Sequence, residues 1–311
     1  MADIGYIQVT RLCNQNCIIC SNPPGKDWIE KETAEKLIRG MHEKDMYGVF
    51  LTGGEPTLYP DLPQLIAYTV ELGLEPRIIT NGQVLADMDY AKTLYNAGLR
   101  HIHLSIYSCR PRVQAQISLK EDSLENALKT LANLGELGMT VDINTAISHF
   151  NADHLDETVV CIIRRFPFVR HFVWDFLDPL DNRASQHPET IPTLWEPEIG
   201  LNRAMRYLEH TGRTFRIERY PACYMAEYAW ASTEIRKAVN NETRETYFLD
   251  QRGHVLQAAW KYGKTEVCRD CTLNDLCPGL WDMDKHYASA EVFPVFVSRD
   301  NIVSKVLEAR D

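Results

Sequence analysis

Thr10-Arg11-Leu12-Cys13-Asn14-Gln15-Asn16-Cys17-Ile18-Ile19-Cys20-Ser21 follows a short segment, residues 4–10, whose β-branched and aromatic residues read as a strand. Three thiols within eight residues can converge on one metal centre. Thiolates are the soft ligands of iron–sulfur clusters, which normally take four, so a triplet leaves one iron open to another ligand. A structural zinc site is the alternative. Such sites usually close at four ligands with paired Cys-x-x-Cys units or histidines, and nothing near this triplet supplies the fourth.

Outward from the triplet the chain alternates. Helical spacing of Ala34, Leu37, Ile38 and Met41 follows the turn Pro23-Pro24-Gly25, then a strand at residues 48–52 runs into Gly53-Gly54-Glu55-Pro56. Further strands are expected at 76–80, 101–107, 140–147 and 169–176, separated by helices near 62–72, 88–97, 123–137 and 155–165. Six strands alternating with helices imply a parallel sheet with right-handed crossovers, and six are too few for a closed eight-stranded barrel. The expected fold is α/β, a partial (β/α)6 TIM-like barrel over residues 1–213. In such barrels the strand C-terminal ends carry the chemistry, and the cysteines lie at one.

The spacing Cys, three residues, Cys, two residues, Cys resembles the signature of the radical S-adenosylmethionine (radical SAM) enzymes, whose open iron is chelated by the methionine part of SAM. Gly53-Gly54-Glu55-Pro56 looks like that family's GGEP motif. Two glycines permit positive φ and close approach to a ligand, and Glu55 offers a carboxylate to an ammonium group. Thr80-Asn81-Gly82 is similar to the family's TNG sequence, although Asn-Gly is also an ordinary tight-turn pair. On the strand 101–107, alternation puts His101, His103, Ser105 and Tyr107 on one face, the expected barrel interior. The resemblance implies that Ser105 binds SAM, that Asn144 meets its ribose and that Ile147 packs on its adenine. His101 and His103 read as buried histidines satisfied by hydrogen bonds. The family often has an aromatic residue before the last cysteine, where this chain has Ile19. The carboxylates and Arg183 after the sixth strand are expected to face the open side of the barrel.

From about Arg213 the alternation stops, so residues 214–311 are read as a second unit. Residues 247–256 read as a hairpin turning at Gln251–Gly253, followed by Cys268, Cys271 and Cys277. Hairpin and spacing resemble the auxiliary-cluster domains appended to many radical SAM enzymes, called SPASM or, in the shorter form, twitch. With Cys223 the group has four thiols, enough to close a second [4Fe–4S] cluster, with zinc as the alternative. If Cys223 is not a ligand, it is a candidate hydrogen-atom donor. Cys109, just past the fourth strand, is another. Cys161 reads as core packing.

The 311 residues carry 45% hydrophobic residues, a net charge of −10 and nine cysteines, with mean hydropathy −0.30. Seven of the cysteines fall in the two ligand-like groups, which favours metal over disulfides. No apolar run of membrane-spanning length or targeting segment is found, so a cytoplasmic protein with no membrane partner is expected. The acidic balance disfavours nucleic acid. The resemblance implies a SAM-binding [4Fe–4S] cluster, an electron donor such as flavodoxin or ferredoxin, and hydrogen abstraction from a substrate carbon. Peptide modification by crosslinking, epimerisation or oxidation is the expected outcome, with a small metabolite as the alternative substrate. A non-catalytic iron–sulfur redox protein is the rival.

Overall fold

The computed structural model describes residues 4–22, 25–179, 182–242, 244–250, 252–256 and 262–308. Pro23, Pro24, Leu180, Asp181 and Gln251 of the motifs above lie outside the described residues. The alternating region runs β1 (Ile4–Thr10), α1 (Lys31–His42), β2 (Gly48–Gly53), α2 (Leu62–Glu71), β3 (Glu75–Thr80), α3 (Met88–Asn96), β4 (His101–Ser105), α4 (Pro111–Ser118), α5 (Ser123–Glu136), β5 (Thr140–Ile147), α6 (Leu155–Arg165) and β6 (His171–Phe176). The six expected strands are present.

Beyond them come α7 (Arg183–Gln186), α8 (Glu198–His210), β7 (Thr214–Glu218), α9 (Thr233–Asn240), β8 (Glu245–Tyr247), β9 (His254–Leu256), the short strands β10 (Tyr262–Gly263) and β11 (Leu280–Trp281), and α10 (Arg299–Glu308). The main sheet has the order β7-β6-β5-β4-β3-β2-β1-β8-β9. It is parallel from β7 to β8, and β9 returns antiparallel through the expected hairpin, where Phe248 N donates to Gly253 O at 2.8 Å. Residues past 213 therefore extend both edges of the barrel sheet.

Period-two alternation explains how the sheet is covered. Ile7, Val9, Val49, Leu51, Ile78, Ile102, Leu104, Val141 and Ile143 are buried against the helices. The helices answer with one apolar stripe each: α5 buries Leu124, Ala127, Leu131 and Leu134, spaced by three and four residues. Prolines sit in the first turns of α2 and α4, where a missing N–H costs no helix bond.

The opposite face is the lumen, and it is polar. One layer holds Glu75, Arg77, His101, His103, Asp142 and His171. Another holds Tyr6, Asn144, Asp175 and Glu218. The sheet does not close by backbone pairing between β7 and β8. Instead Arg244, just before β8, reaches Glu218 of β7 at 3.2 Å and lies over the Tyr6 ring at 4.9 Å. Arg219 pairs with Glu218 at 2.8 Å and approaches Asp175 at 3.6 Å. Burial pushes the Glu218 carboxyl up, but Arg244 and Arg219 outweigh it and hold the group down at about 2. Burial, then the Glu218 charge, raises Asp175 to about 6.

Removing Glu218 leaves two half-buried guanidinium groups without their shared anion, which is the costly way to break such a pair. Glu218→Ala is expected to lower unfolding free energy by about 3–5 kcal/mol, read from the urea midpoint, with the fold retained by circular dichroism.

Candidate functional site

The cysteine loop leaves the C-terminal end of β1 and is docked on three neighbours. From β2's exit, Gly54 N donates to Thr10 O and Glu55 N to Leu12 O, both at 2.7 Å. From the α4 end, Asn16 N donates to Ser118 O at 3.3 Å and Ile18 N to Ile117 O at 3.0 Å. After β6, Arg183 donates to the Asn16 side chain and its backbone N to Cys20 O, so this residue serves the loop rather than open solvent. Ile18 and Ile19 are buried with Ile117, Leu177 and Ala184 beneath the loop.

The glycines have a physical reason that the sequence reading assigned to a ligand. Gly53 has φ +145°, and a Cβ there would stand 2.0 Å from Thr10 O. A Cβ on Gly54 would stand 2.2 Å from Leu12 O. It is the cysteine loop's own backbone that approaches so closely.

Glu55 likewise departs from expectation. It is 1% exposed, and its carboxylate accepts from Thr57 N (3.1 Å), Thr57 Oγ1 (2.7 Å), Thr80 Oγ1 (2.6 Å) and Asn81 N (2.8 Å). With four donors, all internal, its carboxylate joins the turns after β2 and β3. Pro56, buried, opens the single 3-10 turn that presents Thr57. Asn81 then carries the junction to the thiols, its Nδ2 lying 2.8 Å from Asn14 Oδ1 and 3.8 Å from Cys13 Sγ.

Burial pushes the Cys13 thiol up to about 11 and Cys17 to about 12, with the neighbouring thiols adding to the rise at both; Cys20 is raised too. Tyr107 OH lies 3.8 Å from Cys17 Sγ. Three desolvated thiols facing one another ionise at neutral pH only with a cation among them, so this donor set suits a thiophilic centre.

Ser105 and Asn144 are register partners on β4 and β5, both half-buried on the lumen face, and Asn144 hydrogen-bonds Asp175. Ile147 does not join them. Three residues from Asn144, it takes the opposite face of β5 and is fully buried in the core, so it is not placed to pack on a ligand. Cys109 is also elsewhere. Its N–H donates to Thr158 Oγ1 at 3.4 Å and its thiol meets Cys161 on α6, with burial and that contact raising it, so a hydrogen-donor role facing the lumen is not supported. Cys161 is accordingly half-buried rather than core.

Cys223, Cys268, Cys271 and Cys277 line one cavity together with Lys264, Asn274 and Phe293. Burial, then Cys277 and Cys268, push Cys223 up to about 12. Leu273 and Leu276 pack with Ile302 and Val306 of α10 below it. The sequence reading missed Glu218, Arg219 and Arg244, although Thr214-Phe-Arg-Ile-Glu218 carries the same alternation as the earlier strands.

A family model described as the Radical SAM superfamily matches residues 7–162. The chain is 34% identical over 205 residues to PqqA peptide cyclase of Methylorubrum populi, covering 60% of this chain and 50% of that protein. It is 30% identical over 154 residues to GTP 3',8-cyclase of Nautilia profundicola, covering 46% and 48%. The chain thus spans about half the length of the curated relatives it matches. Among solved structures, SuiB of Streptococcus suis bound to S-adenosylmethionine aligns with TM-score 0.66 at 16% identity, over 90% of this chain and 73% of that one. Native anSMEcpe with bound AdoMet and Kp18Cys peptide aligns with TM-score 0.65 at 14% identity, over 98% and 96%. At such identities these likenesses establish the fold.

Because the loop docks through glycine contacts to backbone, Gly54→Ala is expected to free it. Hydrogen exchange should rise across residues 10–20 while β4 to β6 stay protected. In apoprotein at pH 8, alkylation of Cys13 is expected to run about a hundredfold slower than that of a free thiol, read by mass spectrometry.

Proposed function

The chain belongs to the Radical SAM superfamily, and on that premise we propose that it is a peptide-modifying enzyme holding a [4Fe–4S] cluster on Cys13, Cys17 and Cys20. The observation that carries this reading is the junction of three turns at the ends of β1, β2 and β3, where the cysteine loop, Gly53–Glu55 and Thr80–Asn81 are bonded into one unit. Held by Cys13, Cys17 and Cys20, such a cluster would supply the one-electron reducing power for cleaving bound SAM, and with it hydrogen-abstracting chemistry.

The protein's own residues position and exclude. Asn81 Nδ2 and the Tyr107 hydroxyl point donors at Cys13 and Cys17, which favours the thiolate form. Gly53 and Gly54 hold the loop in place, leaving backbone carbonyl oxygens of that turn to meet the SAM ammonium group, while Ser105 and Asn144 offer hydrogen bonds to its polar parts. Asp175, Arg219 and Arg244 give the lumen charged groups for orienting a substrate, which sets the near-attack geometry on which such chemistry depends.

Cys223, Cys268, Cys271 and Cys277 are the proposed ligands of a second [4Fe–4S] cluster, whose full set of four thiolates suits electron transfer with the substrate. The names of two similar proteins, a PqqA peptide cyclase and SuiB, which has been seen bound to precursor peptide SuiA, support a peptide substrate. The similarity to a GTP 3',8-cyclase supports the second reading, a small metabolite. A ferredoxin or flavodoxin is the proposed electron donor.

Anaerobically reconstituted and reduced with dithionite, the wild type is expected to release 5'-deoxyadenosine from SAM. The variant with Ala at Cys13, Cys17 and Cys20 should release none yet keep about half the iron. Persistent absence of the nucleoside from wild type with an intact reduced cluster would sink the catalytic reading, and loss of all iron from the triple variant would remove the second cluster. Cys223→Ala should lose iron as well if that thiol is a ligand.

A further inference from the structure

The lower lumen, towards the N-terminal ends of the strands, gathers a group that the cysteine chemistry does not use. His101 and His103 leave β4 on one face, and Asp142 stands opposite His103 in the β4–β5 register. Their ligand atoms all lie within 4.8 Å of one another. Specifically, His101 Nε2 is 2.8 Å and His103 Nε2 3.1 Å from Asp142 Oδ2. We propose that His101, His103 and Asp142 form a binding site for a divalent transition-metal cation of the zinc class, separate from both cysteine groups, with water completing its coordination.

Three observations carry the assignment. Donors bound to one zinc ion at about 2.0–2.1 Å stand roughly 3–3.4 Å apart, so the two histidine–Asp142 spacings need a shift of only a few tenths of an ångström. Next, His103 Nε2 is buried and has no hydrogen-bond partner, although Asp142 lies beside it. A shared cation satisfies a nitrogen that the carboxylate approaches without hydrogen-bond geometry.

Finally, an outer shell is already built. Glu75 Oε1 stands 3.3 Å from His101 Nδ1, the ring atom facing away from the site, and is itself held by Arg77 Nε at 2.6 Å. Carboxylates on the far nitrogen of a ligating histidine fix its orientation and tautomer. Phe50 packs edge-on against the His103 ring at 4.6 Å, which limits its rotation. Two imidazoles among three ligands favour zinc and its neighbours over magnesium or calcium, which prefer an all-oxygen shell. His171, the register partner of Asp142 on β6, is turned to Thr214 through its Nδ1 at 2.7 Å and stands outside the group. The rival occupant is a proton shared between His101 and Asp142.

The test is anaerobic titration of zinc(II) into the cluster-reconstituted protein against a chromogenic competitor. Wild type is expected to take up about one equivalent, and His103→Ala and Asp142→Asn to lose it. Glu75→Gln should weaken binding by about 10–100-fold, the effect of an outer-shell partner. A Cys109→Ser, Cys161→Ser double variant should bind as wild type, which separates the lumen from that thiol pair. Zinc X-ray absorption on the wild-type complex should report imidazole and oxygen neighbours only. The proposal fails if wild type takes up no zinc, if the lumen variants bind as tightly as wild type, or if sulfur appears in the zinc shell. The absorption measurement decides the matter even where a variant does not fold.

Discussion

One buried carboxylate sets the geometry at the working end of this molecule. Glu55 is desolvated, which penalises its charge and raises its pKa, and the four donors gathered around it offset only part of that penalty. Those donors come from two different turns, so the group can be satisfied only when both turns are in register. The backbone bonds from Gly54 and Glu55 to the cysteine loop extend the same requirement to a third turn. The three thiols are thus placed by a hydrogen-bonded junction, not by the loop's own stiffness. Polar junctions of this kind specify one arrangement because every partial arrangement leaves a buried group unpaired.

The lumen follows a different logic from the helix-facing side of the sheet. Outside, aliphatic residues of β1 to β5 pack in the dense, interchangeable manner of any core. Inside, charges are paired layer by layer, and the Arg244–Glu218 ion pair links the start of β8 to β7, whose outer edge has no strand partner among the described residues. Arg244 does there what a further strand pair would do in a closed barrel. An ion pair leaves the wall open to adjustment in a way that a backbone ladder does not.

Much of this was legible in the sequence, and the exceptions share a cause. Period-two alternation with helical spacers disclosed β1 to β6, and cysteine spacing disclosed both thiol groups. β7 went unread although α8 and the alternation within Thr214–Glu218 continue the earlier pattern, and β8 was read only as the first arm of the hairpin at 247–256. Glu55 and the glycines were assigned to a ligand because sequence shows which groups are present but not which neighbours consume them. Ile147 was a matter of parity: a residue three positions from Asn144 on a strand must face the other way. Cys109 was unreadable on any rule, since a loop's exit direction is fixed by tertiary contacts, here with Thr158 and Cys161.

The gathering of Cys223, Cys268, Cys271 and Cys277 around one cavity bears on how the molecule is made. The N-terminal triplet spans eight residues and is complete almost as soon as β1 leaves the ribosome. The second group joins residue 223 to residue 277, so any centre bridging all four thiols must wait until residue 277 has been made. Closing so long a loop restricts the unfolded chain and ties loading to folding. Cofactor assembly in such a chain has a built-in order, the thiols of the N-terminal triplet being made well before those of the second group.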